Sequence, residues 1–522
     1  MTRKLTTVFI ITVLLALAFR LPGLSFRTMH GDEAVNALKY SELLEKGTYQ
    51  YDPSEYHGPS LYYFTLPVTY ITSQYTLQDL TATTLRIVPI IFCLGLLIAF
   101  LLIRDPIGHN GLLMAATLLA ISPFFVFYSR YYIHEMLFLF FSYFAIFSAF
   151  RLYIKPSVTW SVLLGMSLAL MMATKETWII ILISAIMSFG LLIVAYPEFR
   201  SKIHDHIKII SLKIYIAGFI SFVLVYILFF TSFLRNMPGI LDSLQSIWNY
   251  TDRSFEKSVH VHPWYQYIKW LIFSSGQTHF WSEGLIAVLG ITGIFYSFNP
   301  KQIKTSKSLF FMKFLSIFTL LTLIIFSVIL YKTPWNALSF WLGMIILAGF
   351  GFAALIDNIH KPVYRNSIII LVIVACIDLG WQSYQINFTN YEDPDNPYVY
   401  AQPQKDIFRL LNPLQSIAKQ HPEKKDIYIQ VIMENDDYWP LPWYLKNFKK
   451  VGWWNYVNMD VPSADIIITG PEMEKDLIYK LYNIPPAGKR DLYVPLLTED
   501  VIFRPGVKIN AFVKLDIYNL IN

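Results

Sequence analysis

Residues 335–356 read WNALSFWLGMIILAGFGFAALI, a run of 22 residues without a charged side chain. At about 1.5 Å per residue, a helix of this length crosses the roughly 30 Å hydrocarbon core of a bilayer. The whole chain has the same character, because 55% of its 522 residues are hydrophobic and 15% are charged. One soluble core cannot bury that much apolar surface, so the sequence predicts a polytopic membrane protein.

Similar apolar runs recur along the first 386 residues and predict about eleven transmembrane helices, although two of the runs are short. The runs are 5–22, 85–103, 111–128, 136–154, 157–173, 177–196, 209–233, 281–297, 309–331, 335–356 and 367–386. The first run follows two basic residues, as in a signal peptide. It has no small-residue cleavage site, so we expect it to be retained as a helix.

Lysine and arginine are concentrated in every second loop between these runs. The basic residues are Arg3, Lys4, Arg104, Arg151, Lys155, Arg200, Lys202, Lys208, Lys301, Lys304, Lys307, Lys361 and Arg365. The positive-inside rule assigns these loops to the cytoplasm. It therefore predicts that the N-terminus lies on the cytoplasmic side of the plasma membrane and the C-terminus on the outer side. The net charge of +6 reports this orientation, and no basic tract indicates nucleic-acid binding.

The C-terminal region differs in composition from the apolar part, 1–386. Residues 387–522 carry scattered charges and prolines, with apolar runs of strand length at 427–432 and 464–469. A helical pattern covers 407–419. We therefore expect a small extracytoplasmic α/β domain after the membrane domain.

Two adjacent carboxylates follow the first apolar run, in the sequence HGDEA at 30–34. They lie at the start of a long predicted outer loop, 23–84. Asp32 and Glu33 indicate chemistry on a lipid-borne substrate at the membrane surface. The alternative is a capping pair that starts a juxtamembrane helix.

His57 comes later in the same loop and is followed by a Gly-Pro turn. Such a turn can aim the imidazole at a neighbouring carboxylate or phosphate. A solvated histidine in a structural turn is the alternative.

Two short outer loops also combine charges of both signs. SRYYIHE at 129–135 holds Arg130, His134 and Glu135 between two apolar runs, where a charge facing lipid would cost free energy. These side chains must pair with one another, with water or with a ligand. ATKET at 173–177 holds Lys175 and Glu176, which as adjacent residues do not share a helix face. Lys175 either neutralises a phosphate or extends to the interface as an ordinary lysine.

Lys332 and Trp335, in YKTPWN at 331–336, pair a cation with an aromatic ring, as a lipid-anchored sugar phosphate would require. VHVHPWY at 259–265 is similar. An aromatic belt at the interface explains the tryptophans equally well. The sequence establishes no cofactor. A divalent cation is possible, with candidate ligands Asp32, Glu135, His260 and His262, but two histidines without a third fixed ligand are a weak metal signal.

The predicted spans are nearly free of ionisable residues, which argues for surface chemistry over transport through the bilayer. In order, the motifs HGDEA, YHGPSLYY, SRYYIHE, ATKET, YKTPWN and YEDPDNPYVYAQ resemble the archaeal and bacterial family of flippase activity-associated proteins. That family belongs to the GT-C glycosyltransferases and is similar to dolichyl-phosphate-mannose protein mannosyltransferases and to the lipid A aminoarabinose transferase. The resemblance covers about residues 1–400.

The resemblance implies a GT-C fold and a sugar donor on a polyprenyl phosphate, used at the outer face. It implies that Asp32 is the general base beside Glu33, that Arg130 and Glu135 are the short-loop arginine and acid, and that Lys175 is the short-loop lysine. The acidic motif is Asp-Glu and differs from the Asp-X-Asp of oligosaccharyltransferases, which leaves metal dependence open.

From residues and resemblance together, we expect an inverting transfer of the sugar to a glycan, lipid or protein acceptor. Asp32 and Glu33 would be catalytic, and the residues expected to bind substrate or phosphate are His57, Arg130, His134, Glu135, Lys175, Glu176, Lys332 and Trp335. Two alternatives remain: a flippase or flippase-associated protein that handles lipid-linked sugars without glycosyl transfer, and a non-enzymatic scaffold.

Overall fold

The structure, a computed structural model, describes residues 3–54, 57–253, 261–276, 279–299, 303, 305–486 and 488–520. The chain forms two compact units. The first comprises Met1–Leu24, Glu42–Ser73 and Thr83–Tyr400, and the second comprises Ser25–Ser41, Gln74–Ala82 and Ala401–Asn522.

Seventeen α-helices of the described chain lie before residue 385, and all except the second and the fourth begin in the first unit. They are α1 (Arg3–Arg20), α2 (Gly31–Lys46), α3 (Ser60–Ile71), α4 (Ala82–Ala99), α5 (Arg104–Ile121), α6 (Pro123–Ser129), α7 (Glu135–Ile154), α8 (Val158–Met172), α9 (Trp178–Ala195), α10 (Pro197–Ile209), α11 (Leu212–Phe230), α12 (Gly239–Arg253), α13 (Gln266–Ile272), α14 (Gly284–Ser297), α15 (Ser306–Val328), α16 (Leu338–Asn358) and α17 (Pro362–Tyr384). A two-stranded ribbon, β1 (Ser274–Ser275) and β2 (Phe280–Trp281), precedes α14.

Seven helical stretches of the described chain are long and apolar enough to cross a membrane, and Leu5–Arg20, Val158–Met172 and Gly284–Ser297 are shorter apolar helices. One of the seven, Ala82–Ile121, contains both α4 and α5. Apolar helices therefore occupy all eleven stretches that the sequence predicts to be membrane spans. The protein is a multi-pass helical membrane protein.

One predicted span has different limits in the structure. The apolar run at 111–128 covers the end of α5 and most of α6, because the helix breaks at Ser122. The residue before a proline is driven to an extended backbone, and Ser122 precedes Pro123 with φ −54° and ψ 120°. The Ser122 hydroxyl then accepts the Phe125 N–H and caps α6.

α16 is the most enclosed of the seven candidate membrane spans of the described chain, with 83% of its apolar window buried. It packs against α5 through facing glycines. A Cβ on Gly349 would lie 2.3 Å from the Gly111 carbonyl oxygen, so only glycine permits this backbone approach.

The second unit contains a six-stranded sheet in the order β4-β3-β5-β8-β6, in which β7 also pairs with β8. The strands are β3 (Tyr428–Ile432), β4 (Lys450–Trp454), β5 (Ile466–Thr469), β6 (Tyr493–Pro495), β7 (Val501–Arg504) and β8 (Val507–Lys514), and the helices are α18 (Phe408–Gln420), α19 (Leu441–Tyr444), α20 (Glu474–Tyr482) and α21 (Leu515–Tyr518). β3 is parallel to β4 and β5, whereas β8 is antiparallel to its neighbours.

Side chains alternate between the two faces of this sheet, as a strand requires. Ile466 and Ile468 join the buried cluster that includes α18, while Ile467 packs with Leu477 and Leu481 of α20. The expected small α/β domain is therefore present. The compact unit begins at Ala401 and also takes in Ser25–Ser41 and Gln74–Ala82, whereas the sequence places the domain boundary at residue 387.

Candidate functional site

Loops of the first unit that are distant in sequence meet at Gly58. A Cβ at this position would lie 2.3 Å from the Ala173 carbonyl oxygen, so only glycine fits against that backbone. The Ser60 N–H donates to the same oxygen at 2.9 Å. The Ser60 hydroxyl also bonds to the Thr174 hydroxyl at 2.7 Å. These contacts fix the His57 loop against the loop that carries Lys175 and Glu176.

Glu176 is a buried carboxylate with two side-chain partners. Its Oε2 lies 2.6 Å from His57 Nδ1, and its Oε1 accepts the Tyr51 hydroxyl at 3.1 Å. Burial raises the pKa of Glu176, but the adjacent His57, together with a backbone hydrogen bond and the charge of Lys175, holds that pKa below its ordinary value. Glu176 is therefore an anion at neutral pH.

Lys175 turns away from its neighbour Glu176 and pairs with Glu135. Its ammonium donates to Glu135 Oε1 and to Asn336 Oδ1, the latter at 3.3 Å. Both charged side chains are buried, with 4% of Lys175 and 7% of Glu135 exposed. The cation is thus held by one anion and one neutral amide. Asn336 lies in the YKTPWN motif, but its spacing from Lys175 in the sequence gives no sign of this contact.

His134 completes this cluster, which we call the loop cluster (His57, His134, Glu135, Lys175, Glu176 and Asn336). Its Nε2 lies 3.1 Å from the Gly58 carbonyl oxygen, and its ring packs edge-on against the rings of His57 and Tyr62. Burial, followed by the charges of His57 and Lys175, lowers the pKa of His134 well below its usual value. A neutral ring that donates from Nε2 leaves Nδ1 as an acceptor, and the described residues provide no partner for this buried atom.

Arg130 lies outside the loop cluster. Its guanidinium donates to the carbonyl oxygens of Pro22 and Gly23 at 2.7 and 3.1 Å, and it lies 4.4 Å from the centre of the Phe388 ring. These contacts tie the end of α1 to the α6–α7 loop. A phosphate-binding role for Arg130 stays a prediction.

Lys332 and Trp335 also make contacts of their own. The Lys332 ammonium donates to the Ile329 carbonyl at the end of α15, and burial lowers its pKa. The Trp335 ring packs on Tyr128 and Tyr400, with centroids 6.0 and 5.6 Å apart. Both side chains already have structural partners, so their expected roles in binding substrate remain predictions.

The acidic pair belongs to the second unit, at the start of α2. The His30 N–H donates to Glu33 Oε2 at 3.0 Å, and the Asp32 N–H donates to His30 Nδ1 at 3.1 Å. This is a reciprocal capping box in which histidine is the cap. Glu33 is completely buried, whereas 52% of the Asp32 side chain is exposed. The capping interpretation thus accounts for Glu33 and leaves Asp32 accessible.

The described residues contain no group of three or more His, Cys, Asp or Glu side chains that could hold a metal ion. Asp32, Glu135 and His262 therefore belong to no such group, and His260 lies outside the described residues. The ring of His262 packs against Trp270 at 5.2 Å. Binding of a divalent cation stays a prediction of the sequence.

Glu283 is a buried acid within the apolar run 281–297, so the sequence does not mark it as a site residue. In the structure it directly precedes α14. It accepts the Ser122 hydroxyl and the Phe124 N–H, both at 2.8 Å, and the Trp341 indole N–H at 2.5 Å. Burial raises its pKa to about 7 despite these donors. Glu283 joins the α5–α6 break to α14 and α16.

Residues 57–233 match the sequence family described as dolichyl-phosphate-mannose-protein mannosyltransferase, and no curated protein matches the chain. ArnT from Cupriavidus metallidurans bound to undecaprenyl phosphate is similar with a TM-score of 0.61 and 12% identity, over 96% of this chain and 97% of that one. The Archaeoglobus fulgidus oligosaccharyltransferase, tethered with an acceptor peptide containing the NVT sequon, is similar with a TM-score of 0.55 and 14% identity, over 86% of this chain. This chain spans 64% of that protein. The chain therefore has the fold of these two solved structures.

Proposed function

We propose that this protein transfers a sugar from a polyprenyl-phosphate donor to an acceptor hydroxyl at the outer face of the plasma membrane, with inversion. The GT-C fold and the family match over residues 57–233 support glycosyl transfer. The observation that carries the proposal is the loop cluster, in which a buried lysine and two buried acids lie at the ends of membrane helices. Ionisable groups buried there are costly unless they serve a ligand or a specific partner.

In the proposed step the acceptor oxygen attacks the anomeric carbon of the donor. The bond from that carbon to the phosphate oxygen breaks, and its electron pair leaves with the polyprenyl phosphate. Asp32 accepts the proton of the acceptor hydroxyl. A positioned base of this kind contributes roughly 10²–10⁴ in rate. Its half-exposed carboxylate is accessible to an acceptor, whereas Glu33 is enclosed in the capping box.

Lys175 would stabilise the leaving phosphate. Negative charge grows on the phosphate oxygen as the bond breaks, and a preorganised cation shielded from water stabilises that charge strongly. Glu135 and Asn336 hold the ammonium in place. His134 offers its unpartnered Nδ1 as an acceptor for a hydroxyl of the donor sugar.

The test is transfer of a radiolabelled sugar from polyprenyl-phosphate donors in proteoliposomes, with wild type beside Asp32→Asn. Glu45→Gln is the matched control, because Glu45 is an exposed carboxylate on the last turn of the same helix. We expect Asp32→Asn to lower kcat at least 100-fold and Glu45→Gln to leave it unchanged. Near-normal transfer by Asp32→Asn would remove Asp32 as the base. Intact donor that moves to the opposite leaflet without cleavage would support the flippase alternative.

A further inference from the structure

Within the second unit, the start of α2 lies against the loop that follows β3. A Cβ on Gly31 would be 3.7 Å from the Cβ of Trp439. The Met29 N–H donates to the Tyr444 hydroxyl at 2.8 Å. Since Asp32 directly follows Gly31, the α/β domain itself fixes the segment that carries the proposed base.

Two aromatic rings of the same loop lie beside a ring on β4. Tyr438 lies 6.1 Å from Trp439 and 4.9 Å from Trp453, measured between ring centroids. All three side chains are partly exposed. We call Tyr438, Trp439 and Trp453 the aromatic platform. Tyr438 and Trp453 also pack against the core of the domain, which holds their rings in place. A partly exposed group of fixed rings beside an accessible carboxylate indicates a binding surface.

Polar groups border the platform on its N-terminal side. Glu434, Asn435 and Asp436 are exposed and directly precede Asp437 and the platform in sequence. Asn435 and Asp436 both have left-handed backbones, with φ of 54° and 56°. Consecutive non-glycine residues in that region cost free energy and persist only where surrounding contacts impose them. Here the Asp437 carboxylate accepts a hydrogen bond from Arg504 on β7, which holds the end of this segment.

We propose that the aromatic platform binds a sugar ring of the acceptor, so that the acceptor is a carbohydrate chain and not a serine or threonine of a polypeptide. The C–H faces of a sugar ring carry a weak positive charge and pack on the negative faces of aromatic rings. Its hydroxyls would bond to Asn435 and Asp436, and one would donate to Asp32, which takes that proton in the transfer. This inference rests on the proposed function, because it assigns the acceptor of the same reaction.

The test measures transfer to methyl glycosides of mannose, glucose and galactose, and to a serine- and threonine-containing peptide. We expect a glycoside to be the acceptor. Trp439→Ala should raise the KM for that glycoside at least tenfold while kcat stays within about threefold. Trp439→Phe, which keeps an aromatic face, should restore most of the affinity. Tyr456→Ala is the control, because Tyr456 is a 57% exposed aromatic residue just after β4 of the same domain.

Hydrolysis of the donor by water separates this inference from the proposed function. Water needs Asp32 as the base but occupies no acceptor-sugar site, so donor hydrolysis by wild type and by Asp32→Asn tests the proposed function without the platform. An unfolding midpoint in detergent close to that of wild type would show that Trp439→Ala is folded. An unchanged glycoside KM in Trp439→Ala, or transfer to the peptide alone, would overturn the inference. If Asp32→Asn retained both transfer and hydrolysis, Asp32 would be excluded as the base. If wild type neither transferred nor hydrolysed the donor, the proposed function itself would fail.

Discussion

His57 and Glu176 are joined at 2.6 Å between Nδ1 and Oε2, although 119 positions separate them in the chain. Tyr51 donates to the other oxygen of the same carboxylate. The pair links the loop before α3 to the loop between α8 and α9. Both loops flank buried charges, so this contact determines whether the loop cluster keeps its arrangement.

Acid should weaken the protein through Glu176. Its pKa is lower in the folded chain than its ordinary value of 4.5, so the unfolded state binds the proton more readily. The stabilisation is fully present above pH 4.5 and is lost as the pH falls through the lower, folded-state pKa. Thermal unfolding in detergent from pH 3 to 7 should show this loss in wild type and a smaller one in Glu176→Gln. An identical acid profile in both proteins would contradict the prediction, and Glu45→Gln controls for an exposed acid.

Glu283 should make the stability change with pH in the opposite direction. Burial raises its pKa to about 7, so between pH 4.5 and 7 the folded chain keeps a proton that the unfolded chain has lost. Stability from this group is greatest below pH 4.5 and declines as the pH rises to 7, by roughly 3 kcal/mol for a shift of this size. Glu283→Gln cannot titrate, so its unfolding midpoint should vary less with pH over that range. A slope as steep as that of wild type would exclude Glu283 as the source.

The buried pair Lys175–Glu135 allows stability to be separated from function. Lys175→Met leaves Glu135 buried without its cation, which typically costs about 3–5 kcal/mol. The double variant Lys175→Met/Glu135→Gln removes both charges, so its unfolding midpoint should recover most of the loss. Transfer should remain absent in the double variant if Lys175 stabilises the leaving phosphate. Recovery of transfer together with stability would show that the pair is only structural.

The sequence predicted the membrane helices well because a bilayer imposes a simple rule of length and polarity. The loop charges were also visible, since a charged residue between apolar runs stands out. The residues with which these charges pair cannot be read from the sequence. Lys175 and Glu176 are neighbours in sequence, yet each pairs with a different loop, and local spacing carries no information about which loops meet.

Two further residues show what the sequence alone does not reveal. Glu283 lies inside an apolar run, so its polar partners became visible only after α14 was seen to begin at Gly284. The position of Asp32 directly after the first span predicts that it belongs to the membrane domain. In the structure, its segment belongs to the unit formed mainly by residues after Ala401. The contacts that place it there join residues hundreds of positions apart in the chain.

Gly58→Ala tests whether the meeting of the loops is necessary for the reaction. The added Cβ would lie 2.3 Å from the Ala173 carbonyl oxygen, a backbone atom that cannot move without displacing Lys175 and Glu176. We expect loss of most transfer activity and a lower unfolding midpoint, because His57 would be pushed away from Glu176. Gly190→Ala is the matched control, since nothing lies within 4 Å of its added Cβ on α9 and helical alanine is tolerated. Wild-type transfer by Gly58→Ala would show that chemistry does not depend on the contact between these loops.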